Sequence, residues 1–226
     1  MVDFDQLQTW YTIEKIDGIT ISDLYLSQLL TYDQLKHVMN SIYRLHKSIQ
    51  INEYHENKNT DIYDNYIPKM YNRYNQYDYS LFPDHLQTFQ KIESKLSNYK
   101  GRRCVIHGDP VFTNILINQY GKIKFIDMRG KLGDKFSIYG DHMYDWAKLY
   151  QSLIGYDEIH ENKILHADYK KNMINYFEIY LQELYDNQIS LEILKSITQS
   201  LLFSLIPLHN NDKCNGYYAL IKSLEM

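Results

Sequence analysis

The sequence predicts an α+β fold, mainly helical, with a small β-hairpin segment near the middle that carries its most informative polar residues. Three observations lead there. Apolar residues fall at helical spacing over 31–49 (Leu35, Val38, Met39, Ile42, Leu45) and over 84–99 (Leu86, Phe89, Ile92, Leu96). Between Arg103 and Ile126 the apolar period becomes that of strands, with Gln119-Tyr120-Gly121 as a turn. After Gly140 the helical spacing returns. The 226 residues fit a single domain and suffice for a buried core.

Taken in order, Thr9–Asp17 alternates apolar and polar side chains, which predicts a strand ended by Gly18. Ile19–Leu30 reads as a loop and a short helix. A long amphipathic helix follows over 31–49, with Thr31 or Asp33 as its N-cap. His46, near its end, reads as a structural residue or a partner of the helix dipole rather than a ligand. The polar stretch 50–61 reads as a solvated loop. In the tyrosine-rich stretch 62–79, Tyr63, Tyr66, Met70 and Tyr74 are spaced by three and four, so a helix is expected, broken or started near Pro68. The helix over 84–99 has Asp84 as a candidate N-cap. Strands are expected over 103–106, 114–118 and 122–126, and an irregular glycine-rich segment over 128–139. Helices are expected from Gly140 to about Ile154, then over roughly 167–186, 190–206 and 216–225, with Pro207 stopping the penultimate one.

Bulk properties bound the partners. A net charge of −4 argues against a duplex nucleic-acid partner, which calls for a basic stripe. Cys104 and Cys214 make no disulfide framework. Cys104 reads as a buried free thiol, which suits a reducing cytoplasm. The N-terminus lacks signal character, and the longest apolar stretch, Leu201–Leu208, is too short for a bilayer, so no membrane is expected. The 23 tyrosines, with many Asn, Ile and Lys, fit an AT-rich genome as well as any function.

The chemistry concentrates in Val105–Leu116 and Lys124–Gly130. Asp109 lies in the loop between two apolar strands, Asn114 five residues later, and Asp127 at the end of the next strand. A hairpin between 114 and 127 returns these groups to one end of the sheet. A carboxylate, an amide and a second carboxylate converging at strand edges is the layout of metal-assisted phosphoryl transfer. Asp109 is then placed to align an acceptor hydroxyl. Asn114 and Asp127 supply hard oxygens to Mg²⁺, which needs few protein ligands beside phosphate oxygens and water. His107 reads as structural, tying the loop to the following segment. Asp141 and Asp145 are either further acids of the site or caps of the helix near Gly140. The preferred reading has Asp141 as a helix-start residue bonding back to the loop and Asp145 facing the same region. Arg129 meets a phosphate or pairs with an acid; the sequence does not choose.

At these residues the chain resembles the aminoglycoside phosphotransferase and choline kinase family, a branch of the protein-kinase-like fold. His107-Gly108-Asp109 with Asn114 resembles its catalytic loop, and Ile126-Asp127 its metal-binding segment. Gly140–Leu149 resembles the family's Gly-Asp-x-x-x-Asp-Leu-Ala helix, with Trp146 in the leucine place and His142 where proline is frequent. The Ile-Asp-x-Arg-Gly wording and Tyr144-Asp145-x-Ala147-Lys148-Leu149 resemble members linked to surface-glycan (capsule) biosynthesis. Tyr11–Gly18 is similar to the hinge strand between kinase lobes. The resemblance implies the mainly helical C-lobe of such a kinase: residues 1–20 hinge-like, 21–100 a helical acceptor side, 101–130 the catalytic and metal segment, and 131–226 helical support. It also implies transfer from ATP or GTP, with Mg²⁺, to the hydroxyl of an amino alcohol, a sugar or an aminoglycoside-type molecule, with the backbone at Glu14 and Ile16 bonding the purine. The tyrosines of 63–79 then either pack in the core, the favoured use, or stack on the acceptor.

Gly18 is the first glycine and Lys15 the first lysine, so the N-terminal β-lobe, with its glycine-rich loop and strand lysine, is expected to be largely missing. That expectation implies a second subunit or a homodimer contact at the hinge strand, whose edge is otherwise unpaired. It also keeps two rivals open: a non-catalytic lobe that binds a partner carrying the missing part, and a metal-dependent hydrolase acting on water.

Overall fold

The structure is a computed structural model that describes residues 3–4, 11–12, 14–48, 61–209 and 211–225. Near the N-terminus, β1 (Asp3–Phe4) pairs antiparallel with β2 (Tyr11–Thr12). Of the strand expected over 9–17, only β2 is strand: residues 9, 10 and 13 lie outside the described residues, and 14–17 join no ladder. The loop expected over 50–61 lies almost wholly outside them too.

β3 (Ile19–Thr20) leads into α1 (Ile21–Leu26), capped by the Thr20 hydroxyl accepting from Asp23 N. α2 (Tyr32–His46) starts with a full capping box: Gln34 N donates to Thr31 Oγ1 at 3.3 Å, and Thr31 N to Gln34 Oε1 at 2.9 Å. Leu35, Val38, Met39 and Ile42 form its buried stripe. α3 (Ile67–Tyr74) has Pro68 in its first turn, where a missing N–H costs nothing. The tyrosines around it serve the core: Tyr66 is buried, and Tyr79 stacks on Phe203 with ring centroids 4.5 Å apart. α4 (His85–Leu96) begins at Asp84, whose carboxylate makes no cap bond and instead accepts from the Tyr218 hydroxyl at 2.6 Å.

The central β segment comes next. β4 (Arg103–Val105) pairs antiparallel with β9 (Tyr139–Asp141). β5 (Ile115–Ile117) and β6 (Ile123–Phe125) form the expected hairpin, and β3 adds to it, giving the order β3-β5-β6. Gly121 takes the left-handed conformation at the tip, with φ +74°. The segment expected to be irregular over 128–139 holds a second small hairpin, β7 (Lys131–Leu132) with β8 (Lys135–Phe136).

α5 (His142–Gln151) widens into a π-helical turn over Ser152–Tyr156, where Gly155 has φ 134°. Such turns displace backbone groups from the helical ladder. Here Leu153 O accepts from the Tyr25 hydroxyl at 2.6 Å, and Ser152 Oγ accepts from Phe112 N at 3.0 Å, so the widened turn reaches back to the central loop. α6 (Asp157–Glu161) and α7 (Ala167–Leu184) follow. α8 (Leu191–Leu205) runs through the core between α3, α4, α5 and α9 (Asn211–Ser223). Residues Leu191–Leu208 are long and apolar enough to cross a membrane, but 61% of that stretch is buried within the protein, as a core helix is. α9 starts before the expected residue 216 because Gly216 lies inside it. A Cβ there would sit 3.0 Å from Ile159 Cδ1, so the glycine serves close packing rather than a helix boundary.

Thr31→Ala removes one half of the capping box and is expected to destabilise the fold by about 1 kcal/mol in urea unfolding. An unchanged midpoint would show that the box does not hold the start of α2.

Candidate active site

The loop between β4 and β5 is held by one carboxylate. Asp145, in the first turn of α5, accepts from His107 N at Oδ2 and from Gly108 N at Oδ1, both at 2.8 Å. His46 Nε2, at the end of α2, lies 3.0 Å from the same Oδ2, and both side chains are fully buried. These loop N–H groups have no strand partner, so a side chain must satisfy them. Gly108 has φ +81°, and a Cβ there would fall 2.8 Å from Arg129 Cβ, so the position requires glycine. His107 is buried; its Nδ1 accepts from Asp109 N at 3.2 Å, and its carbonyl accepts from Arg129 N at 3.0 Å. The ring thus sets the turn into Asp109.

The Asp109 carboxylate is 38% exposed, and Lys148 Nζ sits 2.9 Å from it. Burial alone would raise its proton affinity. The Lys148 ammonium, with Arg129 and Lys69 behind it, outweighs that and holds the carboxyl below its ordinary range. Burial acts on Lys148 to lower its proton affinity, but the Asp109 charge wins and raises it. Asn114 Nδ2 donates to the Asp109 carbonyl at 3.0 Å, which commits the amide N–H to the loop and leaves the amide oxygen for another partner. Ile126 N donates to Asn114 O at 3.0 Å, and the register pairs Ile115 with Phe125. Asp127 therefore lies beside Asn114 at one end of the hairpin. It is exposed and holds a left-handed backbone with φ 61°.

The remaining expected residues fall differently. Asp141 does not bond to the loop. Its Oδ2 accepts from the Tyr66 hydroxyl at 2.6 Å and its Oδ1 from Arg102 N at 3.1 Å, with His142 Nδ1 2.9 Å away. It sits at the N-cap of α5 but makes no cap bond; the bond back to the loop belongs to Asp145. Arg129 forms no ion pair with an acid among the described residues; its Nη1 donates to the Tyr144 hydroxyl at 2.5 Å. The Glu14 side chain pairs with Lys124 on β6 at 3.0 Å, and Ile16 is half-buried; neither lies in a strand.

Three groups were missed by sequence reading. Lys148 and Tyr144 lie on α5, and Lys69 on α3, with Lys69 Nζ 3.5 Å from the Tyr144 hydroxyl. Burial raises the Tyr144 phenol, but Lys69, Lys148 and Arg129 together bring it below its ordinary value. Burial pushes the Lys69 ammonium down. The one available signal was Lys148, a charge within the otherwise apolar run Trp146–Tyr150.

Clefts lie elsewhere, two of them near the candidate site's flanks in sequence but not at it. One of about 600 Å³ is lined by Glu158, Lys163, Lys170 and Lys213; another of about 1060 Å³ lies between Gly18, His37 and the β5–β6 tip. Neither is lined by Asp109, Asn114 or Asp127. Among the described residues no three His, Cys, Asp or Glu side chains group to hold a metal, so a cation here would depend on the Asn114 amide and on oxygens from a ligand.

No protein-family model and no curated protein matches the sequence. Solved structures do. The choline kinase LicA from Streptococcus pneumoniae is 13% identical, with a TM-score of 0.55 over 92% of this chain and 67% of that one. LicA in complex with AMP is 15% identical, with a TM-score of 0.59 over 98% and 71%. A Plasmodium vivax ethanolamine kinase is 13% identical, with a TM-score of 0.56 over 94% and 64%. The chain thus shares the fold of choline and ethanolamine kinases, in agreement with the expected α+β class, and spans about two thirds of their length.

Asp145→Asn keeps the shape but sets an amide against backbone N–H donors. It is expected to destabilise the protein by roughly 3 kcal/mol in urea unfolding; a wild-type midpoint would remove Asp145 from its clamping role. The Asp109–Lys148 pair predicts a pH window. Asp109 is held below its ordinary 3.8, so its contribution is full above that value and lost as pH falls through the lowered one. Lys148 is held above its ordinary 10.5, so its contribution is full below that value and lost as pH rises through the raised one. The stability difference between wild type and Lys148→Met should be flat between these limits and shrink outside them. A difference that grows in acid would contradict the pairing.

Proposed function

We propose that this chain is a small-molecule kinase that moves the γ-phosphoryl group of ATP or GTP to the hydroxyl of a small acceptor. The observation that carries the reading is the hairpin register, which sets Asn114 and Asp127 beside the loop that presents Asp109. The shared fold with choline and ethanolamine kinases supports it, and AMP in one of those structures supports nucleotide use.

In this reading the acceptor oxygen bonds to the γ-phosphorus, the bond from that phosphorus to the β,γ-bridging oxygen breaks, and the electron pair leaves with the nucleoside diphosphate. Asp109 aligns the hydroxyl and receives its proton. Lys148 keeps Asp109 charged until then. The available amide oxygen of Asn114 and the exposed carboxylate of Asp127 are hard donors that fit Mg²⁺, which when bound neutralises phosphate charge. The backbone at Glu14–Ile16 is the proposed purine contact, and α3–α4 the acceptor side. A surface-polysaccharide setting rests on the wording of residues 126–130 and 144–149 alone. The rival reading is a lobe completed by a partner or a second copy at residues 1–20.

Calorimetry with Mg·ATP and Mg·GTP, followed by nucleotide turnover with hydroxyl acceptors, tests the proposal. Wild type should bind nucleotide and Asp127→Ala should lose that binding. Asp109→Asn should bind normally but transfer about 10²–10⁴-fold more slowly. No binding by wild type would leave the partner-completed lobe, and phosphate release without acceptor would favour a hydrolase.

A further inference from the structure

The cations beside Asp109 exceed what that carboxylate neutralises. Tyr144 and Lys148 are four residues apart on α5 and share a face. Arg129 Nη1 and Lys69 Nζ both approach the Tyr144 hydroxyl, at 2.5 and 3.5 Å, from the segment after β6 and from α3. The Arg129 guanidinium lies 5.9 Å from the Tyr144 ring centroid. Lys148 pairs with Asp109 at 2.9 Å. Tyr144 is 1% exposed and Lys148 7%, whereas Lys69 is half-buried and Arg129 exposed, so the group runs from the core out to solvent. Three cations stand against one carboxylate and one phenol. Lys69 comes from α3, Tyr144 and Lys148 from α5 and Arg129 from the segment after β6, so cations from three elements gather beside Asp109.

We propose that Lys69, Arg129 and the Tyr144 hydroxyl form an oxyanion seat beside Asp109, so that the acceptor is an alcohol bearing its own phosphate or carboxylate. A guanidinium, an ammonium and a hydroxyl donor meeting at one point match the oxygens of such a group. The same set repels a quaternary ammonium, which needs aromatic faces free of competing cations. The choice of acceptor rests on the kinase reading of Asp109; the seat itself does not.

The test measures binding of inorganic phosphate, glycerol 3-phosphate, gluconate and choline to the full chain by calorimetry, with and without saturating Mg·ATP. At least one oxyanion should bind, choline should not, and saturating Mg·ATP should not displace the oxyanion, as distinct subsites require. Preference for the phosphates assigns a phosphate ester, and preference for gluconate assigns a sugar acid. Lys69→Met and Arg129→Gln should each weaken binding by about tenfold or more, and Lys69→Arg should retain most of it. The wild-type arms stand even where a variant fails to fold. No oxyanion binding, binding of choline instead, or displacement of the oxyanion by Mg·ATP would overturn the seat. Oxyanion binding with no Mg·ATP binding would keep the seat and remove the kinase.

Discussion

The Asp145 carboxylate is the constraint from which the geometry of the site follows. It receives two loop N–H groups and faces His46, so one buried side chain joins α2, α5 and the loop between β4 and β5. A loop that crosses between strands has no ladder to satisfy its backbone, and burial makes an unsatisfied N–H expensive. A carboxylate, which accepts at both oxygens, suits two adjacent donors better than an amide does. The next turn of the same helix carries Lys148, the counter-ion of Asp109. Thus α5 fixes both the backbone of the loop and the charge of its central acid. The widened turn after α5 adds a third tie through Ser152 and Phe112 N.

What the sequence made legible was local. The period change at residues 103–126, Thr31 as one of two N-cap candidates and the stripe of α2 are written within a few residues and appear nearly as read. The positions of His107, Asp109, Asn114 and Asp127 around the hairpin followed from the same local pattern. What stayed hidden depends on docking. Asp141 and Asp145 lie one turn apart at a helix start and carry the same sequence signal; only the way α5 packs decides that Asp145 faces the loop and Asp141 faces Tyr66. Arg129 touches the Tyr144 phenol, a contact that sequence spacing does not bring near. Lys69 is a surface-type residue on a short helix until α3 packs beside α5. The expected start of the last helix at 216 fell short because the packing of Gly216 on Ile159, distant in sequence, is not written locally.

Charge shows the same division between whole and part. The chain is acidic overall, with a net charge of −4, yet the surroundings of Asp109 are positive. Net charge informs on solubility and on long-range attraction. It says nothing of a site where burial amplifies a handful of nearby groups. The solved kinases share this fold at 12–15% identity, a level at which the backbone is common and the lining of a pocket need not be. The lining beside Asp109 is therefore read from Lys69, Arg129 and Tyr144 of this chain and not from the neighbours' substrates.

The left-handed backbone at Asp127 has a consequence over generations. At φ 61° glycine, asparagine and aspartate are the residues that a polypeptide accommodates most readily. The backbone therefore leaves residue 127 few replacements: asparagine or glycine at little steric cost, and a β-branched side chain only at a large one. A lineage that released the carboxylate would find those two exits open and most others closed.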